Sequence, residues 1–264
     1  MKTKEFQYIL SIITVNLNNK CGLQKTIDSV IAQTYKDFEW IIIDGGSTDG
    51  SKELIEKYGN YISHWVSEPD KGIYNGMNKG ITVSNGEYLL FMNSGDKIYD
   101  ENVLTRTIPL LLGEDYYVGD QYFSGTILRP NLSAVGHLCN ILTFSYIPHQ
   151  STFIHRKIFN KYGLYREDLQ IVSDWWLFYN SILLDNAIVE RLPFVVSEFE
   201  GNGISSTPIG MEEIHQLLST KPRIQYLAQF YKDNSELIES IRAKRWIFFL
   251  FRAYYFLYRK WIKK

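Results

Sequence analysis

The stretch EWIIIDGGSTDG, residues 39–50, decides the fold. Residues 39–44 form a continuous, mostly apolar run that stops at Asp44, and the glycines, Ser47, Thr48 and Asp49 then supply a turn and a helix start. A strand over 39–44 followed by a helix from about Ser51 to Tyr58 is the expected local structure. The same alternation repeats on either side. LSIITVN at 10–16 is a β-branched strand followed by a helical pattern from Leu23 to Gln33. Ile62–Ser67 reads as a strand, Ile73–Val83 as a helix and Tyr88–Asn93 as a further strand. Strand starts near 10, 39, 62 and 88 are 23–29 residues apart, a spacing that suits βα units. Apolar strands without polar alternation imply a mostly parallel sheet covered on both faces. The fold class is α/β.

Beyond residue 100 the rhythm loosens. A helix is expected over Glu101–Leu112, strands over Tyr116–Asp120 and Ile147–His155, and a helix over Ile171–Leu184 opened by Ser173 and Asp174. An extended segment over Pro193–Phe199 leads into GNGISS at 201–206, and Met211–Ile241 reads as helix and connector. There is no internal repeat.

Of 264 residues, 45% are hydrophobic and 22% charged, which describes a folded protein. A net charge of -1 argues against a generally basic nucleic-acid binder. Two cysteines, Cys21 and Cys139, are too few for a disulfide scaffold or a zinc set. No signal-peptide cleavage site follows the start, and no run reaches the roughly 18 apolar residues of a membrane span, so a cytoplasmic home is expected. The charge is unevenly spread. Residues 242–264 hold eight basic and nine aromatic residues and no acid, which leaves residues 1–241 at -9. As a helix, this tail places Arg245, Arg252, Arg259 and Lys263 on one stripe beside aromatic surface. That pattern suits a membrane surface; docking on protein is the alternative.

In open parallel sheets, ligands bind outside the carboxyl ends of the strands. Here those ends carry Thr14 and Asn16, Asp44, Glu68 and Asp70, and Asn93 and Asp96. Singly, each is explained by turns and caps; four in succession describe a binding edge. G-x-G-x-x-G and P-loop signatures are absent, so a dehydrogenase or P-loop enzyme is not indicated. An acidic edge repels a diphosphate unless a divalent cation bridges them, and oxygen ligands favour Mg2+ or Mn2+.

The order TVN at 14–16, IDGGSTDG at 43–50, SEPDKGIYNGMNKG at 67–80 and GEYLLFMNSGD at 86–96 resembles the family 2 glycosyltransferases, nucleotide-sugar enzymes of GT-A fold, over about residues 8–210. The resemblance implies a catalytic domain over 1–210, with a nucleotide-sugar half at 1–100 and an acceptor half at 101–210, and a helical extension over 211–264. It implies that Asp44 bonds the base of the nucleotide, commonly uracil, beside Thr14 and Asn16, with Asp70 at the base or ribose. Asp96 would contact the cation bridging the diphosphate. Asn93 and Gly95 stand where the family often has aspartate, and Asn93 is a second candidate for cation or diphosphate contact. HQSTF at 149–153 and IVSDWW at 171–176 resemble the acceptor half, with Asp174 the general base of an inverting transfer.

Alternatives accompany several of these assignments. Asp174 also suits a helix N-terminus. Trp175 and Trp176, followed by Tyr179, suit either sugar stacking or the core, and His149 either the acceptor and diphosphate or a structural role. Ser205 lies in a loop resembling one that closes on the donor phosphates. Arg129 and Arg166 are cations that spacing does not choose between. The function expected is transfer from a UDP-sugar to a lipid-linked saccharide in polysaccharide or O-antigen biosynthesis, by a peripheral enzyme on the inner face of the cell membrane. A noncatalytic nucleotide-sugar scaffold and a sugar nucleotidyltransferase are the competing readings.

Overall fold

The computed structural model describes residues 6–130, 147–199 and 209–219. Its N-terminal half follows the βα rhythm: β1 (Tyr8–Asn16), α1 (Lys20–Ile31), β2 (Glu39–Asp44), α2 (Ser51–Lys57), β3 (His64–Ser67), α3 (Ile73–Val83) and β4 (Gly86–Phe91). β1 lies between β2 and β4, with β3 outside β2, and all of these pairings are parallel. α1 begins three residues before the expected Leu23 because the Asn19 side chain accepts the Gly22 N–H at 3.1 Å and caps it.

The second half is built differently. It contributes β5 (Lys97–Ile98), α4 (Val103–Thr107), β6 (Tyr116–Phe123), β7 (Thr126–Leu128), β8 (Thr152–His155), α5 (Lys157–Tyr162), α6 (Ser173–Phe178), β9 (Val189–Phe199) and α7 (Ile209–Ser219). The sheet order is β3-β2-β1-β4-β8-β6-β9-β5, with β7 paired to β6. β8 slots between β4 and β6 antiparallel to both, and β6 and β9 are parallel. The sheet is therefore mixed: the parallel expectation holds for β1–β4 and gives way where the four-residue β8 runs in the opposite direction. Three expected elements shorten for local reasons. The helix after Glu101 tightens to 3₁₀ geometry at Ile108–Leu110, around Pro109. The strand expected from Ile147 starts only after a 3₁₀ turn at His149–Ser151. The helix expected over 171–184 starts at Ser173 and widens into a π-helix over Tyr179–Leu184.

Apolar layers cover both faces. Ile13, Val15, Leu89 and Phe91 join Tyr74 and Met77 of α3 and Leu177 and Phe178 of α6 on one face. Leu10, Ile12, Tyr88 and Leu90 join Leu23 and Ile27 of α1 on the other. Successive residues of β1 and β4 thus enter opposite cores, which explains why these strands lack polar alternation. No helix among the described residues is long and apolar enough to cross a membrane. The tail at 242–264 and the loop holding Ser205 lie outside the described residues.

Candidate active site

Two groups of polar side chains form at the carboxyl ends of the central strands. The first centres on Asp44, which is in register with Asn16 on the neighbouring strand. Asp44 is fully buried, and four donors occupy its carboxylate. Oδ1 accepts Asn16 Nδ2 at 2.7 Å and the Ser47 hydroxyl at 2.6 Å. Oδ2 accepts the Ser47 N–H at 2.9 Å and the Ser67 hydroxyl at 2.6 Å. Burial alone would raise its pKa, but the combined hydrogen bonds hold it below the ordinary carboxylate value. A carboxylate has about four lone-pair sites, and all are used. The buried acceptor of this group left without a protein partner is Asn16 Oδ1.

Asp70 completes the group. Its Oδ1 accepts the Gly72 N–H at 2.9 Å, and its Oδ2 would stand 2.7 Å from a Cβ placed on Gly45. The carboxylate lies directly over the backbone after Asp44, an approach that only glycine at 45 permits. Thr14 is placed elsewhere. It shares the parity of Ile12, faces the other core, and its buried hydroxyl accepts the Trp40 indole N–H at 3.1 Å. It supports β2 from within and does not reach the edge.

The second group spans a longer stretch of sequence. Asp96 folds back on its own turn, with Oδ2 accepting the Asn93 N–H at 3.0 Å, while Gly95 adopts φ +107. An aspartate at 95 would be strained in that left-handed conformation. Gln150 donates to Asp96 Oδ1 at 3.2 Å. Burial pushes the Asp96 carboxyl up to about 6, against the opposing influence of His149, Gln150 and the Asn93 N–H. His149 joins the two halves of the molecule: its Nε2 lies 3.3 Å from Asn93 Nδ2 and its Nδ1 3.2 Å from Asp174 Oδ2.

Asp174 Oδ1 accepts the Tyr74 hydroxyl at 2.9 Å and its neighbour's Trp175 N–H at 2.8 Å. Burial would raise its pKa, but His149, the Trp175 N–H and Tyr74 together hold it below the ordinary value. For His149, burial acts to lower the pKa, and the partnership with Asp174 reverses the sign. Tyr74 is pushed well up by burial and the adjacent Asp174 charge, so it remains a donor, its single proton shared between Asp174 Oδ1 and Ile171 O. Glu213 of α7 accepts the N–H groups of Gln170, Ile171 and Val172 at 2.6, 3.0 and 3.3 Å, which fixes the chain just ahead of Asp174.

Of the residues expected from sequence, Asn16, Asp44 and Asp70 thus fall in one group and Asn93, Asp96, His149 and Asp174 in the other. Trp175 and Trp176 both stack on buried Tyr179, with ring centroids 5.3 Å apart in each pair, and both are half-buried against the core. Beside Trp176 opens a cleft of about 440 Å³ lined by Tyr162, Arg166, Ser173, Asn180 and Asp185 among others. Tyr74, Gln150 and Glu213 had no separate signal in the sequence. Tyr74 sits inside the GIYNG motif, but its partner is 100 residues away.

The turn at 93–96 supplies oxygen donors for a cation. Asn93 Oδ1 is buried without a protein partner, and the Asp96 carboxylate is in the same turn. Among the described residues no three His, Cys, Asp or Glu side chains converge as a metal cage. A cation would therefore take one or two protein ligands and complete its shell from a ligand's phosphates, the usual arrangement for Mg2+ with nucleotides. The donor set fits that shared mode.

Residues 11–169 match the family described as Glycosyl transferase family 2. A PGL/p-HBAD biosynthesis glycosyltransferase of Mycobacterium tuberculosis is 30% identical over 224 residues, covering 81% of this chain and 86% of that protein. Among solved structures, S. aureus TarS 1-349 in complex with UDP-GlcNAc is similar with a TM-score of 0.61 at 18% identity, over 74% of this chain and 59% of that one. Glucosyl-3-phosphoglycerate synthase from Mycobacterium tuberculosis, solved with Mn2+, UDP and glucosyl-3-phosphoglycerate, is similar with a TM-score of 0.55 at 17% identity. That match covers 80% of this chain and 79% of the synthase.

Proposed function

The chain belongs to glycosyl transferase family 2 and has the GT-A fold, and on that footing we propose that it moves a sugar from a UDP-sugar, with inversion, onto a hydroxyl of a lipid-linked saccharide. The observation that carries the reading is the connection Asn93–His149–Asp174–Tyr74, which sets a half-buried carboxylate beside the turn that would hold the donor diphosphate.

In this reading Asp174 takes the acceptor proton. Its Oδ1 already has two donors, and among the described residues its Oδ2 has only His149, so one lone pair of Oδ2 remains for the incoming hydroxyl. The acceptor oxygen attacks the anomeric carbon on the face opposite the leaving diphosphate, that C–O bond breaks with its electrons going to UDP, and the configuration inverts. Asp70 and Asn16 hold the nucleoside. Asn16 Oδ1 is a free buried acceptor matched to a base N–H, whereas Asp44 acts by fixing Asn16 and the Ser47 turn. A divalent cation, Mn2+ or Mg2+, bound by Asp96 and Asn93 would supply positive charge to the departing phosphates. Support for it comes from the Mn2+ held with a nucleotide in the similar synthase. The lipid-linked acceptor and the inner membrane face rest on the resemblance to bacterial polysaccharide enzymes and on the basic, aromatic composition of residues 242–264.

The test is UDP release by the purified full chain from a panel of UDP-sugars, with Mn2+ or Mg2+ and then with EDTA. Metal-dependent release restored by excess Mn2+ is expected. Undiminished release in EDTA would remove the cation from the scheme, and failure to bind any uridine nucleotide would remove the donor.

Tyr74→Phe keeps the ring and deletes one donor to Asp174. It is expected to lower kcat about tenfold while KM for the sugar nucleotide stays within about twofold, because the loss falls on the base and not on the donor site. Steady-state kinetics at saturating acceptor would read both, and an unchanged kcat would make Tyr74 a packing residue only.

A further inference from the structure

Outside these groups, Asp120 on β6 carries an unbalanced charge. It is almost fully buried, and two arginines converge on it. Arg191 of β9 donates through Nη2 to Oδ1 at 2.8 Å and Oδ2 at 3.2 Å. Arg129, just past β7, brings its Nε within 3.4 Å of Oδ2. Leu128 is in register with Gln121, so Arg129 sits across from Asp120 while β9 approaches from the other side. One carboxylate thus orients two guanidinium groups and neutralises one. The side chains are 64% and 45% exposed, and among the described residues no second acid pairs with either. The neighbouring acid Glu198 is committed to Lys97 at 2.8 Å, and Arg166 is committed to Asp168 at 3.0 Å.

The position is as informative as the charge. The Asp120 carbonyl accepts the Ser151 hydroxyl at 3.1 Å, and Ser151 ends the turn that carries His149. The next residue, Gln121, donates to Gln150 at 3.4 Å, and Gln150 donates to Asp96. Asp120 and Gln121 therefore lie against the turn between the proposed cation site and the proposed base, and the two arginines gather on the Asp120 side chain.

We infer that Arg129 and Arg191, held in place by Asp120, form an anion site for a phosphoryl group beside the transfer centre. The inference rests on the glycosyltransferase reading for the identity of its ligand and on the arginine geometry for the site. A planar guanidinium with uncommitted N–H groups matches phosphate oxygens, and a buried carboxylate behind it reduces the freedom lost on binding. Two phosphates fit this chemistry: the diphosphate of the donor and a phosphate carried by the acceptor.

Titration calorimetry on the full chain separates them, using UDP, uridine and geranyl diphosphate as probes on wild type, R129Q/R191Q and R129K/R191K. For a donor site, the glutamine pair weakens UDP about tenfold or more and leaves uridine unchanged. For an acceptor site, it weakens geranyl diphosphate to that extent and leaves UDP unchanged. In either case the lysine pair keeps the charge but loses the planar fork, so it recovers only part of the affinity lost in the glutamine pair. Unchanged affinity for both diphosphates in a glutamine pair with a wild-type unfolding midpoint overturns the inference. Wild type that binds no UDP would instead defeat the donor reading, a separate failure. If the double variant does not fold, the exposed single change R129Q, expected to cost about threefold, carries the same test.

Discussion

Asp174→Asn is expected to reduce kcat by about three orders of magnitude while UDP binding stays within about twofold of wild type. Asparagine has nearly the same shape and its amide oxygen can still accept from Tyr74 and the Trp175 N–H. What it cannot do is take a proton from an attacking hydroxyl. The donor-side residues Asn16, Asp44 and Asp70 make no contact with it, so nucleotide affinity is a built-in control for correct folding. Single-turnover measurement of sugar transfer, with calorimetric UDP binding on the same sample, would separate the two effects. Transfer within tenfold of wild type would demote Asp174 to a residue that starts α6, whereas UDP binding without transfer in wild type and variant alike would favour a nucleotide-sugar-binding scaffold over an enzyme.

Asp44→Ala is the second large effect, and it falls on stability and nucleotide binding together. The change strands Asn16 Nδ2, the Ser47 N–H and hydroxyl, and the Ser67 hydroxyl, all of which now end on one buried carboxylate. Leaving such donors unpaired costs roughly 1–3 kcal/mol each before relaxation, so a net loss of about 3 kcal/mol is expected in urea unfolding, with UDP binding abolished. The pH dependence has a definite sign. The native pKa of Asp44 lies below its ordinary value of 3.8, so its contribution is complete above that value and disappears as pH falls through the lower native one. Wild type should therefore lose stability over this interval by an amount that Asp44→Asn, which has no proton to gain there, does not lose. Equal acid sensitivity of the two would show that Asp44 does not carry this term.

Much of the donor half was legible because its signals are local. A strand, a polar turn and a helix recur three times before a fourth strand, and each strand end announces its polar residue. Asp44, Asp70 and Asp96 could be placed at the correct edge for that reason. Thr14 could not be placed correctly. In a strand buried on both faces, adjacent residues enter different cores, and a run such as SIITV has no polar face to show which way the threonine turns. The reduced acidic motif has a conformational correlate that the sequence did not reveal: Gly95 stands at a φ of +107.

The amino-acid sequence by itself determined the βα succession, the strand ends that gather polar residues, the nucleotide-sugar family and the candidate base Asp174. These follow from short-range periodicity and from motifs whose parts are a few residues apart. Only the tertiary structure decided that β8 runs antiparallel between β4 and β6. That placement brings His149 between Asn93 and Asp174, while the packing of α3 brings Tyr74 onto Asp174 and the flanking strands bring Arg129 and Arg191 onto Asp120. Those contacts join residues tens of positions apart in the chain. Strand order is set by how whole elements cover one another's apolar faces, a property of the assembled layers that no local stretch of sequence encodes.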